Sequence, residues 1–519
     1  MSTMLPATPR ARAGRLAGAG LVALLALAAV TACGAPPRPG RPTPQLALPV
    51  QPPALQHELR GVWIATVNNI DWPSKRGLST DSMKAQLLAL IERAAQLHFN
   101  AIIFQVRPAA DALYKSSIEP WSPYLTGTMG KAPDGDFDPL AFVIKESHAR
   151  GMQVHAWFNP YRAGFVNDSW KPSPDHVSNK HPKWVRRYGG FYWMDPGIPA
   201  VREYSLSVFR DVVKRYDVDG IHIDDYFYPY VEKDSATRKD IPFPDADTYK
   251  AYQLAGGKLT LSDWRRENVN KLVKGMAEVA HSVKPWVLVG VSPIGVYRPG
   301  IPSGGFDSYE SIYCDSKRWL NEGWVDYYVP QIYWTTASSN PYGPVLKWWA
   351  DENTEGRHLW AGNFTTRAGT RPPWTVDELV EQIKLTRQQK GAGGNVHFSA
   401  KFLYGTTPIA EALRSGVYAE PALVPPSPWL GAQKPDAPVV TLGGSADAPV
   451  ARFAPGNKVP VRFWVVRYYD GTQWQTRIVG QETSSLALPA GLERPFYVAV
   501  SAIGVSGFEG SLGTARSNK

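Results

Sequence analysis

Cysteine is nearly missing. The 519 residues hold two, Cys33 and Cys314, too few for the disulfide framework of a small stapled domain. No His/Cys cluster has the spacing of a zinc site, no glycine-rich loop is placed to cradle phosphate, and no nucleic-acid module is present. The sequence therefore predicts no metal, no cofactor and no nucleic-acid partner. Charge is also sparse: 20% of the residues are charged against 44% hydrophobic, which excludes a disordered chain and provides for a large core, enough for two domains. The formal charge is +10, compatible with an acidic polymer and equally with ordinary solubility. Long apolar runs are lacking except from Leu16 to Val30, preceded by Arg10, Arg12 and Arg15. That run is too short for a comfortable membrane span and fits a signal peptide over residues 1–32.

The run ends in Val30-Thr31-Ala32-Cys33, which resembles the lipobox of bacterial lipoproteins, where the cysteine is lipidated and becomes the mature N-terminus. Gly34, rather than Asp, resembles the pattern exported to the outer membrane. The expectation is a protein lipid-anchored through Cys33, its only membrane contact, and facing the periplasm. Lipid on Cys33 leaves Cys314 without a disulfide partner. The stretch that follows, "GAPPRPGRPTPQLALPVQPPALQH", is proline-dense and predicts an extended tether over 33–57 with a reach on the order of 70 Å at about 3.1 Å per residue.

From residue 58 to 425, short β-rich runs alternate with amphipathic helical stretches. The runs are "RGVWIATV", "AIIFQVRP", "QVHAWFNP", "GIHIDDYF", "VLVGVSPIG", "DYYVPQIYW", "HLWAGNF" and "NVHFSA". Helices are expected at 81–98, 139–150, 201–216, 262–282, 315–323, 376–390 and 408–416. The count predicts an α/β (β/α)8 TIM barrel over an open doubly wound sheet. Beyond Pro425 a proline-rich linker leads into short alternating runs. The Asp470-Gly471 turn between two strands, and a second strand pair in "RPFYVAVSAIGVSGFEG", predict a small all-β, fibronectin-III-like sandwich within 426–519. Its polar residues show no paired acids, so it is expected to position rather than catalyse.

In a barrel the active site lies at the carboxyl ends of the strands. These ends deliver Asn68, Asn69, Asp71 and Trp72; Gln105, Arg107 and Asp111; Asn159, Tyr161 and Arg162; Asp224, Asp225 and Tyr226; Ser292; Gln331, Tyr333 and Trp334; Asn363; and His397 or Ser399. Amides, carboxylates and aromatics suit sugars, whose hydroxyls need donors and acceptors and whose C–H faces stack on rings such as Trp72, Tyr226 and Trp334. Alternation along the fourth strand turns Ile221 and Ile223 toward the helices and His222 and Asp224 inward, with Asp225 at the rim. Asp224 and Asp225 are the expected catalytic pair; an inward aspartate paired with Arg107 is the structural alternative. Asp71, Asp111, Asp195 and Asp315 are rival carboxylates, each equally readable as a loop cap or the partner of an arginine.

Six segments, "RGVWIATVNNIDWPS", "FQVRPAADALY", "HAWFNPYR", "WMDPGIPAVREY", "DGIHIDDYFYP" and "GWVDYYVPQIYW", closely resemble the glycosyl-hydrolase-like family 10 lipoproteins over roughly residues 57 to 430. That family includes an outer-membrane hydrolase of denuded peptidoglycan glycan. The resemblance implies a glycosidase barrel and, as substrate and partner, peptidoglycan strands stripped of stem peptides. Retaining and inverting glycosidases place two carboxyls on opposite sides of the scissile bond, which neighbours on one strand end do poorly. Asp224-Asp225 is similar to the adjacent acidic pairs of substrate-assisted glycosidases of N-acetyl sugars. In that reading Asp225 is the general acid, its pKa raised by burial and by Asp224, while Asp224 stays ionised. The other readings are a non-catalytic glycan-binding scaffold with the same barrel, and an amidase or deacetylase, for which no metal or activated nucleophile is evident in the sequence.

Overall fold

Leu59–Ile64 (β1) is buried on both faces. Leu59, Trp63 and the following Ala65 join one apolar cluster with Ile103, Trp157, Tyr327 and Val396, while Val62 and Ile64 join a larger one that includes the helices. A strand with its two faces in two cores belongs to a closed parallel sheet jacketed by helices. The computed structural model describes residues 51–300, 303–445 and 447–517. The signal peptide, Cys33 and most of the tether lie outside the described residues.

The remaining barrel strands are Ala101–Arg107 (β2), Gln153–Phe158 (β3), Gly220–Ile223 (β4), Leu288–Val291 (β5), Tyr327–Tyr328 (β6), a seventh strand in two pieces, His358–Leu359 and Ala361–Asn363 (β7), and Gly394–His397 (β8). Each pairs in parallel with its neighbours in chain order, and β8 pairs with β1. The two pieces of β7 form the two edges of the sheet, so the ring closes through Trp360. Inside, small residues make room for rings: a Cβ on Gly220 would lie 2.6 Å from the imidazole Nδ1 of His155.

The helices that jacket the strands are, in order, Thr80–Gln96 (α1), Pro139–Ala149 (α2), Pro199–Arg215 (α3), Leu261–Val283 (α4), Ser316–Asn321 (α5), Tyr342–Glu352 (α6), Val376–Gln388 (α7) and Pro408–Ala412 (α8), with shorter helices such as Ala246–Leu254 in the loops between them. Side chains of Ser79, Asp138, Thr260, Thr375 and Thr407 cap the starts of α1, α2, α4, α7 and α8, each contributing about 1 kcal/mol. The α/β barrel expected from the alternation is the observed fold. Helix α6 was not among the expected helices, because Gly343 and Pro344 mask its start; proline is tolerated in a first turn. The long loop after β3 also contains structure: Arg162–Phe165, Val185–Tyr188 and Phe191–Met194 form a small antiparallel sheet.

At the floor, the residue before each of three strands clips the strand beside it. Asn100 accepts the amide of Arg60 (2.8 Å), Asp219 that of Val154 (2.7 Å) and Asp326 that of Val289 (2.8 Å). Against this floor sits the C-terminal sandwich. Val439–Gly444 (β9), Pro449–Ala454 (β10) and Ser485–Ala487 (β13) form one sheet; Trp474–Gly480 (β12), Val461–Tyr469 (β11), Tyr497–Gly504 (β14) and Gly513–Arg516 (β15) form the other. Orders β9-β10-β13 and β12-β11-β14-β15 are those of a fibronectin type III module. The hairpin at Asp470-Gly471 is as expected, whereas the partner of β14 begins at Gly513, beyond the expected strand pair. Arg462 of β11 reaches across to Asp217 (2.6 Å) and Asp219 (3.0 Å), and Asp219 also meets His148 (2.8 Å).

Candidate active site

The mouth of the barrel opens into a cleft of about 370 Å³, within the range of small-molecule sites. Strand β4 ends there, and Asp224 and Asp225 are each only 5% exposed. Alternation carries Asp224 inward, as expected. Its Oδ2 accepts the indole N–H of Trp157 at 3.0 Å, and its Oδ1 receives long contacts, 3.4 Å each, from the Asn159 amide and the Tyr226 backbone N–H. Asp225 accepts from Gln331 Nε2 at 2.8 Å and from the hydroxyl of Tyr230. Aromatic walls surround the pair: Trp63, Phe165, Phe191, Tyr226, Tyr333 and Phe398. Three polar atoms on the lining, Gln105 Nε2, Ser292 Oγ and Arg162 Nε, have no hydrogen-bond partner. Buried donors and acceptors are normally satisfied, so these are free to meet ligand hydroxyls.

Burial and the charge of its neighbour push Asp224 up to about 7, against the weaker pull of Arg162 and Trp157. Burial also raises Asp225, but Tyr230 and Gln331 both stabilise its anion. Asp225 is held by two close donors and Asp224 by one close donor and two long ones, so the pair is placed to share one proton near neutrality. Below the pair, His222 is kept neutral by burial, accepts the Trp63 N–H at Nε2 (3.3 Å) and so donates from Nδ1 to the Tyr327 hydroxyl (3.1 Å).

Residues 58–370 match the family model for glycosyl hydrolase-like 10. The chain belongs to that family. It is 42% identical to the glycosyl hydrolase YngK of Bacillus subtilis over 401 residues, 74% of this chain and 76% of that protein. To the glycosyl hydrolase DigH of Escherichia coli K12 it is 35% identical over 389 residues, 68% of this chain and 86% of that one. Among solved structures, the catalytic domain of a β-amylase from Paenibacillus polymyxa aligns at 12% identity with a TM-score of 0.47, over 70% of this chain and 99% of that one. The glycoside hydrolase domain of PgaB from Bordetella bronchiseptica aligns at 13% identity and 0.44, over 69% and 98%.

In this glycosyl hydrolase-like 10 barrel, Gln105, Tyr226, Gln331 and Tyr333 line the cleft with the two aspartates, and Asn159 touches Asp224 from beneath. Other expected site residues lie elsewhere. Trp72 is fully buried under α1, its N–H on the Met83 carbonyl, with no face for a sugar. Arg107 is paired with Glu119 at 2.6 Å rather than with either aspartate. Tyr161 is fully buried in the outer core, and Trp334 packs its ring over Gly295 outside the cleft. The rival carboxylates are structural in position. Asp71 bridges the Ala65 amide and Ser399, Asp111 accepts the Ala109 amide, Asp195 takes Arg186 and Thr248, and Asp315 takes Tyr297. Burial raises Asp71 to about 6 and Asp111 to about 7, so a raised pKa alone does not mark this site. Asn363 and His397 face the helices, bonded to Gln382 and Thr365.

Trp63 and Trp157 were missed because attention to strand ends overlooks inward positions one step lower; their odd-numbered parity with Leu59, Ala65 and His155 was the signal. Phe165 and Phe191 come from the short strands of the small sheet after β3 and Tyr230 from the loop after β4, segments too short to carry a periodic signal. Among the described residues, no three of His, Cys, Asp and Glu gather as a metal site, and no helix is long and apolar enough to cross a membrane. A larger cavity of about 630 Å³ lies where the sandwich meets the floor, but no carboxylate lines it.

Proposed function

We propose that this protein is a glycoside hydrolase of cell-wall glycan, anchored by lipid on Cys33 to the outer membrane on its periplasmic side, and acting on peptidoglycan strands that lack stem peptides. The observation that carries the catalytic reading is the pair of adjacent, buried carboxyls in an aromatic cleft, differing in their hydrogen-bond donors. Two such groups whose environments differ supply an acid and an anion at one pH.

Among the described residues, Asp224 and Asp225 are the only carboxylates lining the cleft. A mechanism with acids on opposite faces of the sugar therefore lacks its second group, and the reading that fits is substrate assistance. Asp224 protonates the glycosidic oxygen as the C–O bond breaks. The Asp225 carboxylate receives the acetamido N–H, so that the acetamido oxygen attacks the anomeric carbon and forms an oxazolinium ring. Water then opens the ring, giving its proton to Asp224. Peptidoglycan sugars carry the acetamide this needs, and the cleft aromatics suit their C–H faces.

The test is incubation of the purified protein with amidase-treated glycan strands and mass spectrometry of the products. Cleaved oligosaccharides are expected, with inhibition by a thiazoline mimic of the ring intermediate. Binding without products would establish the scaffold reading instead.

A further inference from the structure

Arg162 stands apart from the other buried arginines. Arg60, Arg107, Arg265, Arg266, Arg462 and Arg467 each have a carboxylate oxygen within 4 Å. Arg162 is 3% exposed, and among the described residues no carboxylate lies that near it. Its Nη1 makes one long bond, 3.3 Å, to the Pro108 carbonyl, and its Nε has no partner. Arg162 faces the charge of Asp224 and Asp225 across the cleft without touching either, which leaves its N–H groups unspent, and the guanidinium fork is shaped to take a carboxylate on two parallel N–H groups.

The surroundings hold this fork still. Its guanidinium carbon lies 4.3 Å from the Tyr226 ring centroid, 5.4 Å from Phe165 and 5.9 Å from Trp193. Its backbone N–H is fixed by Asn159 Oδ1 at 2.8 Å, and its strand pairs with Phe191–Met194 in the small sheet that walls the cleft. Stacking on the flat side leaves the edge N–H groups for a ligand. Arg162 lines the same cleft as Asp224 and Asp225.

We propose that Arg162 is a specificity-determining residue that receives a carboxylate carried by the sugar beside the scissile bond, so that the substrate class is an acidic, N-acetylated glycan. The inference rests on the peptidoglycan reading above and deepens it. In peptidoglycan the lactyl ether of muramic acid bears a carboxyl group that is amide-linked wherever a stem peptide is attached and free once that peptide is removed. A fork that demands the free anion selects strands lacking peptides. An amide at the same place offers one acceptor and a donor turned against the guanidinium, and leaves the cation unpaired.

The experiment changes the substrate first. Amidase-treated strands are compared with the same strands after carbodiimide coupling of the lactyl carboxyl to methylamine. For the wild type, kcat/KM on the methylamide polymer should be about tenfold to a hundredfold lower, the range for losing a charge-assisted hydrogen-bonded pair. Arg162→Gln should lose that preference, cleaving both polymers at similar low rates; Arg162→Lys, which keeps the charge without the fork, should keep part of it. Melting temperatures of both variants establish that they are folded. Equal wild-type rates on the two polymers overturn the carboxylate subsite while leaving the glycosidase reading intact. A preference retained in a folded Arg162→Gln overturns it as well. Cleavage of neither polymer overturns the peptidoglycan reading and this inference with it.

Discussion

Strand β4 carries a buried aspartate at each end, and their surroundings shift the two in opposite directions. At the floor, Asp219 has Arg462 at 3.0 Å, His148 at 2.8 Å and the Val154 amide at 2.7 Å. Burial would raise its pKa, yet these partners hold it well below the usual carboxylate range. At the mouth, Asp224 is equally buried, has no cation in contact, and has a second carboxylate for a neighbour; it rises to about 7. Five residues apart on one strand, burial is constant and the partners differ. On this one strand the floor aspartate is paired with a cation, while the mouth aspartate is set beside a second carboxylate.

The sharpest way to break this comparison is to neutralise each end. Asp224→Asn and Asp225→Asn should each lower kcat/KM on glycan strands by about a hundredfold to ten-thousandfold, the scale of acid–base catalysis. A glycoside with an activated aryl leaving group, which needs no acid, should restore Asp224→Asn but not Asp225→Asn; the opposite pattern would exchange their roles. Asp219→Asn should leave the turnover of the folded protein within a few-fold of wild type.

Arg462→Ala is the next largest. Removing one partner of a buried pair costs about 3–5 kcal/mol, read as a lower melting temperature with turnover kept in the folded fraction. The pH dependence has a definite sign. Asp219, with a depressed folded pKa, contributes stability above its unfolded pKa of about 3.9 that disappears as pH falls through the folded value. Without Arg462 the folded pKa is higher, so acid unfolding of the variant should begin at higher pH.

Asp224 gives the opposite slope. Its folded pKa is raised, so its contribution is fully present below an unfolded pKa of about 3.9 and is lost as pH rises toward about 7. Asp224→Asn should therefore raise the melting temperature at pH 8 and change it little at pH 4. A smaller effect comes from Trp157→Phe, which removes a donor that favours the Asp224 anion. The alkaline limb of kcat/KM should move up by about half a pH unit to one unit, the worth of a single hydrogen bond. An unmoved limb would show that Asp224 is not the titrating acid.

The strands, the inward turn of Asp224 and the outward turn of Ile221 and Ile223 were legible because a two-residue period and βα spacing are properties of local sequence. The partners of Arg107, Asp111 and Asp195 were not. Whether a charged residue just past a strand faces the mouth or folds back into the outer shell depends on loops such as 108–122 and 185–197, which contribute Glu119 and Arg186 from a distance. Trp72 shows the same limit: an aromatic beside a proline at a strand end is equally a sugar platform or a plug over α1, and only the packing of Met83 and Phe104 decides.

The short strand Gln56–His57 pairs in parallel with Ala422–Leu423 just before β1 begins, so the chain enters the barrel from below. The sandwich leaves from that same side. A lipid anchor upstream would thus pull on the floor, through the Ala422–Leu423 seam and the Arg462 contacts, and any tension from membrane or wall would travel through ion-paired architecture. The mouth lies at the opposite ends of the same strands, away from the Gln56–His57 seam.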